Sequence, residues 1–112
     1  MLASSLTLIE CDRVLLRAAA AGTLAEAVAA ERRAWLARTV EHWVLFDLDG
    51  AIVERARRPF PAEPLRTLDA IHLATAALAQ SLVPDLVVLS LDDRVRGSGR
   101  LMGFHLLPGG RP

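Results

Sequence analysis

Residues 85–90 read DLVVLS, four consecutive apolar residues held between two polar ones. An apolar run without alternation describes a strand covered on both faces, the environment of a parallel sheet flanked by helices. Upstream of it, Leu68, Ile71, Leu73, Ala74 and Leu78 recur at helical spacing and predict a helix over 68–80 with Thr67 as its N-cap. Downstream, a short Arg-bearing helix leads to GFHLL, 103–107, as a last strand, and the tail PGGRP, 108–112, is expected to fray.

Further toward the amino terminus, HWVLF, 42–46, has the composition of a second strand, and Asp49 opens a helix that must stop before Pro59. PFPAEP, 59–64, reads as a rigid connector. Leu8, Cys11, Leu15 and Ala18 define a helix over 7–20, with Thr7 and Glu10 spaced as a capping box. Gly22 closes it, and Thr23 with Glu26 repeats the pattern ahead of a helix over 24–38 carrying Leu24, Ala27, Val28, Trp35 and Leu36. Helices interleaved with buried strands give an α/β fold, a parallel sheet flanked by helices, read as a single domain over 1–112.

Composition narrows the function classes. The chain has 112 residues, 53% hydrophobic and 23% charged, and a domain of this size buries roughly 65% of its unfolded surface. A single cysteine, Cys11, excludes a disulfide scaffold and a cysteine-based zinc site, and points to a reducing cytoplasm. Thirteen basic residues, all arginine, cancel thirteen acidic ones, so nucleic acid has to be met by a local patch rather than by a global field. No apolar run approaches the roughly 20 residues of a membrane span, and no basic flank precedes the first apolar residues as in a signal peptide.

In an open parallel sheet, reactive groups gather just past the carboxyl ends of the strands. Asp92 and Asp93 follow the 85–90 run, Asp69 lies in the first turn of the helix before it, and Glu10 lies early in the first helix. Carboxylates brought to one mouth repel by about 4 kcal/mol at roughly 4 Å in a dielectric near 20, so such a cluster takes up a proton or a cation. Magnesium or manganese suits hard oxygen ligands, and either supports phosphodiester hydrolysis, with Ser90 placed to orient a metal-bound water. Each acid also has a plainer role: Glu10 in a capping box, Asp69 on a helix dipole, Asp92 or Asp93 as an N-cap. Asp12, Asp47 and Asp85 read as solvated or turn residues, and His42, His72, His105 and Cys11 as packed ones.

SSLTLIECDRVLLRAA (4–19), LRTLDAIHLATAALA (65–79) and LVVLSLDDRVRGSGRLMGFHLLP (86–108) occur in this order and resemble the PIN domain of VapC-type toxins, metal-dependent ribonucleases of toxin–antitoxin pairs. The LDAIHLATA stretch, with Ser90 two places before Asp92, carries the likeness. The resemblance implies a PIN-like three-layer domain in which Glu10, Asp69 and Asp92 hold Mg2+ or Mn2+, with Asp93 a neighbour. Arg13 and Arg94 are near enough in sequence to contact an RNA phosphate. RNA as substrate, a cognate antitoxin and a homodimer or higher oligomer are the partners it implies, in the cytoplasm and away from membranes. The family's first strand and its terminal aspartate have no counterpart here, since Met1 stands almost on the SSLTLIE segment. A site short of one carboxylate should bind cations weakly, and the vacated slot implies rearrangement, dimerisation or a start codon further upstream.

Two other readings compete. HWVLFDLDGAIVE, 42–54, resembles the first motif of haloacid-dehalogenase-type phosphatases, with Asp47 as nucleophile, Asp49 as acid/base and Gly50 in the turn. Against it, the chain has no lysine for the phosphoryl group and Ala51 stands at the usual threonine, so Asp49 is more simply an N-cap. The other alternative is a catalytically impaired PIN remnant that binds an antitoxin helix, or a second copy of itself, along the apolar stretches of 7–38.

Overall fold

The computed structural model describes residues 1–90 and 92–109; Leu91 and the last part of the tail expected to fray, 110–112, lie outside the described residues. The chain divides into two compact units, Met1–Asp47 and Leu48–Pro112.

In the first unit, strand β1 (Leu2–Ser4) runs into helix α1 (Ser5–Ala20), followed by α2 (Glu26–Val40) and β2 (Val44–Phe46). The sequence reading placed no strand ahead of the first helix. Leu2–Ser4 nevertheless pairs in parallel with β2, in the register Leu2 to Val44, Ala3 to Leu45 and Ser4 to Phe46. The predicted capping box at Thr7 and Glu10 is displaced as well. Ser4 is the N-cap, its hydroxyl accepting from the Leu6 N–H, so Thr7 and Glu10 lie inside the helix.

The two helices lie close to the stretches expected, 7–20 and 24–38, with different chemistry at the turn between them. Gly22 takes a φ of +76°, which a residue with a Cβ adopts only under strain. Thr23, expected to cap α2, instead donates its hydroxyl back to the Ala18 carbonyl, and Ala25 holds the N-cap position with no side-chain bond. Arg33 of α2 pairs with Asp12 of α1 at 3.1 Å. Burial is thin here: α2 buries Ala29 and Leu36, α1 has no fully buried residue, and Trp35 is 60% exposed. Cys11 is half-buried rather than core filling.

The second unit runs α3 (Gly50–Ala56), α4 (Thr67–Leu82), β3 (Val87–Leu89), α5 (Asp93–Leu101) and β4 (His105–Leu107). Asp49 caps α3 by accepting from the Ile52 N–H at 3.0 Å, as the sequence predicts. The cap of α4 is Arg66 and not Thr67, which is its first helical residue. α4 is the organising helix, with Leu73 and Ala74 fully enclosed; Ile52, Phe60, Ala79, Val95 and Phe104 complete the unit's buried apolar set. Leu68, one of the apolar residues whose spacing predicts this helix, is 43% exposed.

The connector is tied at both ends. The Glu63 carboxylate accepts from the N–H groups of Phe60 and Leu65, each at 2.9 Å, and the wholly buried Ser98 hydroxyl exchanges two hydrogen bonds with the Ala62 backbone.

β3 pairs in parallel with β4, Val87 to His105, Val88 to Leu106 and Leu89 to Leu107. Among the described residues each unit therefore holds one parallel pair of strands. The apolar run at 85–90 is also not covered on both faces, since Val87 is 46% and Leu89 67% exposed. A run of apolar side chains states that cover is needed; a pair of strands with helices on one side supplies it to alternate residues only.

Candidate functional site

Asp69 lies in the first turn of α4, where backbone N–H groups have no partner within the helix. Its Oδ2 accepts from the Arg66 N–H at 3.2 Å, closing the turn on itself. Asp92 is the N-cap of α5, its Oδ1 accepting from the N–H groups of Arg94 at 2.9 Å and Val95 at 3.1 Å. Each carboxylate thus uses one oxygen for its cap and has a second outside it. Asp93 occupies the first turn of α5.

Ser90 ends the β3 segment and shapes the approach to Asp92. Its hydroxyl accepts from the Asp92 N–H at 3.1 Å, its own N–H donates to the Leu107 carbonyl, and its carbonyl accepts from Arg96. The plain role expected of Asp92, an N-cap, and the side-chain-to-backbone turn of Ser90 are therefore both present. They fix the backbone around the carboxylate.

Glu10 is in the first unit, half-buried in the second turn of α1, and Asp69 and Asp92 are in the second. Glu10, His72 and Asp93 all have interaction partners in the structure. Within neither unit do three or more His, Cys, Asp or Glu side chains gather into a cation cage among the described residues. Arg13 and Arg94 are both exposed, as a contact to a phosphate requires.

The residues of the phosphatase-like motif are used structurally. Asp47 accepts the Ser5 hydroxyl at 2.7 Å within the first unit, and Asp49 is an N-cap. Asp12, with part of its side chain exposed, pairs with Arg33.

Sequence reasoning missed Arg96. It is 4% exposed, and its Nη1 donates to the carbonyls of Ser90 and Leu107 while Nη2 donates to that of Pro108, each at 3.0 Å. A guanidinium has the planar fork needed to join the ends of two neighbouring strands in this way. The available signal was its place one residue after the buried Val95, on the side of α5 that also carries Gly99.

Among the described residues, no helix is long and apolar enough to cross a membrane. The chain is 32% identical over 66 residues to ribonuclease VapC35 of Mycobacterium tuberculosis, in strain CDC 1551 / Oshkosh and in strain ATCC 25618 / H37Rv. The match takes in 59% of this chain and 48% of the relative, so the chain spans about half the length of the curated relatives it matches. No family model matches the chain, and no solved structure does. The likeness is distant and reaches a VapC-type ribonuclease. Parallel strand pairs packed with helices are compatible with an α/β fold.

Proposed function

We propose that the chain is a VapC-type, metal-dependent endoribonuclease with a PIN-like α/β fold, acting as the toxin of a toxin–antitoxin pair. The observation that carries this is the 32% identity to ribonuclease VapC35. In this reading Glu10, Asp69 and Asp92 hold Mg2+ or Mn2+, RNA is the substrate, and a cognate antitoxin is the partner. The donor chemistry fits: carboxylate oxygens are the hard ligands these ions prefer, and Asp69 and Asp92 each have one oxygen outside the helix cap. When bound, such an ion polarises a phosphate oxygen and lowers the pKa of the attacking water.

The residues of the chain then have distinct tasks. Asp92 is held by the α5 backbone and by the turn of Ser90, so its carboxylate is preorganised. Asp69 is held in the first turn of α4, its Oδ2 accepting from the Arg66 N–H. Arg13 and Arg94 supply guanidinium groups to the RNA backbone.

The test is cleavage of single-stranded RNA in Mg2+ or Mn2+, together with the melting shift each ion produces. Asp92→Asn is the informative variant, because asparagine caps a helix about as well as aspartate and the fold should survive. Loss of cleavage and of the ion-induced shift in Asp92→Asn and Asp69→Asn, with native melting, is the expected result. Cleavage at the wild-type rate in both variants would sink the reading.

A second reading, a PIN-like binding module without turnover, is favoured by one observation. The α1–α2 hairpin exposes Ile9 by 54%, Val14 by 56% and Trp35 by 60%, as a helix-in-groove partner would require. A chain that captures an antitoxin helix but cleaves nothing would select it.

A further inference from the structure

Between α3 and the start of α4 the second unit has an open trough of about 530 Å3, within the range of ligand-binding clefts. Val53, Ala56 and Ile71 contribute to an aliphatic lining, and Arg57, Arg58 and Arg66 stand along it, all three exposed. Glu63 also lines the trough, but its two carboxylate oxygens accept the Phe60 and Leu65 N–H groups and hold the connector. Three guanidinium groups against one carboxylate leave the trough with an excess of positive charge.

Two chemistries answer such a surface, and the lining separates them. Single-stranded nucleic acid binds basic grooves by stacking its bases on aromatic faces. Phe60, the one aromatic residue in this trough, is 5% exposed, and the Arg55 guanidinium lies 4.0 Å from its ring centroid, held there by the carbonyls of Arg58 and Pro59. Its face is therefore closed to a base. An aliphatic lining takes aliphatic side chains, and arginine forks pair with carboxylates in two-point geometry.

We propose that this trough docks an acidic amphipathic peptide segment of a partner protein, its apolar side chains against Val53, Ala56 and Ile71 and its carboxylates on Arg57, Arg58 and Arg66. The proposal stands on the α3–α4 geometry and does not depend on the carboxylates assigned to RNA cleavage. Failure of either therefore leaves the other intact.

The probe is a fluorescein-labelled helical peptide of about twelve residues with leucines spaced to share one face and glutamates beside them. Its anisotropy is titrated with the full chain at low and raised salt. A peptide with lysine in place of glutamate and an oligouridylate of equal length serve as the other two arms. The expected result is saturable, salt-weakened binding of the acidic peptide only. It should fall by about tenfold or more in the double variant Arg57→Glu, Arg58→Glu and in Val53→Asp, each with native circular dichroism. Val53 is 40% exposed and the arginines are exposed, so these changes leave the buried set untouched. Binding unchanged in both variants, equal binding of the lysine peptide, or binding of the oligouridylate in place of the acidic peptide overturns the proposal. So does a wild-type dimer that excludes the peptide and dissociates in the double variant, because a second copy would then be the occupant.

Discussion

At residue scale, Arg96 and Asp92 sit four positions apart and illustrate opposite degrees of legibility. A short acidic side chain just ahead of a helix is recognisable as a cap, and Asp92 is one. A lone arginine in a short helix reads as a solvated charge, because burial depends on where two distant strand ends place their carbonyls. Three charge-assisted bonds converge on Arg96 from Ser90, Leu107 and Pro108. Arg96→Leu removes the donor to those partly exposed carbonyls, of which that of Leu107 keeps the Ser90 N–H, and should cost about 1–3 kcal/mol, read by urea denaturation. Arg96→Lys should recover only part of this, since an ammonium has no fork to span both strands. Ser98→Ala, which removes the two-way link to the Ala62 backbone, should cost about 1–3 kcal/mol. A loss in Arg96→Leu no larger than that of an exposed substitution such as Arg94→Leu would show that the clamp does not stabilise the fold.

At element scale, periodicity, caps and composition together marked every helix and three of the four strands among the described residues, while the termini were the weak point. Glu10 shows why. Its spacing from Thr7 satisfies the capping-box rule, yet α1 begins at Ser5 because Ser4, at the end of β1, already supplies the cap. A local rule cannot distinguish two serviceable caps when pairing with a strand some forty residues away chooses between them. The strand Leu2–Ser4 was hidden because it runs straight into α1 with no turn residue between, whereas the other strands lie in longer apolar runs. Glycines offer a direct check on the helix assignments. Gly97 lies inside α5 with nothing within 4 Å of an added Cβ, so Gly97→Ala should stabilise by about 0.5–1 kcal/mol through helix propensity. Gly22 also has open space but sits at φ +76°, so Gly22→Ala should destabilise by about 1 kcal/mol. Equal signs for the two substitutions in thermal melts would contradict the helix boundaries given above.

At the scale of the whole molecule, the candidate site was legible as residue types and the apolar surface was not. Asp69 and Asp92 stood out as helix-start acids because a helix start after a connector or a strand is where short acids belong, whereas an apolar run announces a need for cover without saying how many strands answer it. Here the strands answer in pairs, and Val44, Val87, Leu89 and Leu107 keep 46–67% of their surface exposed. Two-stranded sheets are marginal alone in water, and parallel strands normally have both faces covered. With a formal net charge of zero, little electrostatic repulsion opposes association through these residues and the strand edges beside them. The chain is therefore expected to self-associate, with a weight-average sedimentation coefficient that rises with concentration. Leu89→Glu places a charge on the most exposed of the four while removing no buried contact, so it should shift the population toward monomer and change stability by less than about 0.5 kcal/mol. Because Leu89 is remote from the arginines of the α3–α4 trough in sequence and element, Leu89→Glu should leave binding of the acidic peptide intact. A wild-type chain that sediments as a monomer at every concentration would show that two-stranded pairs suffice for this fold in water.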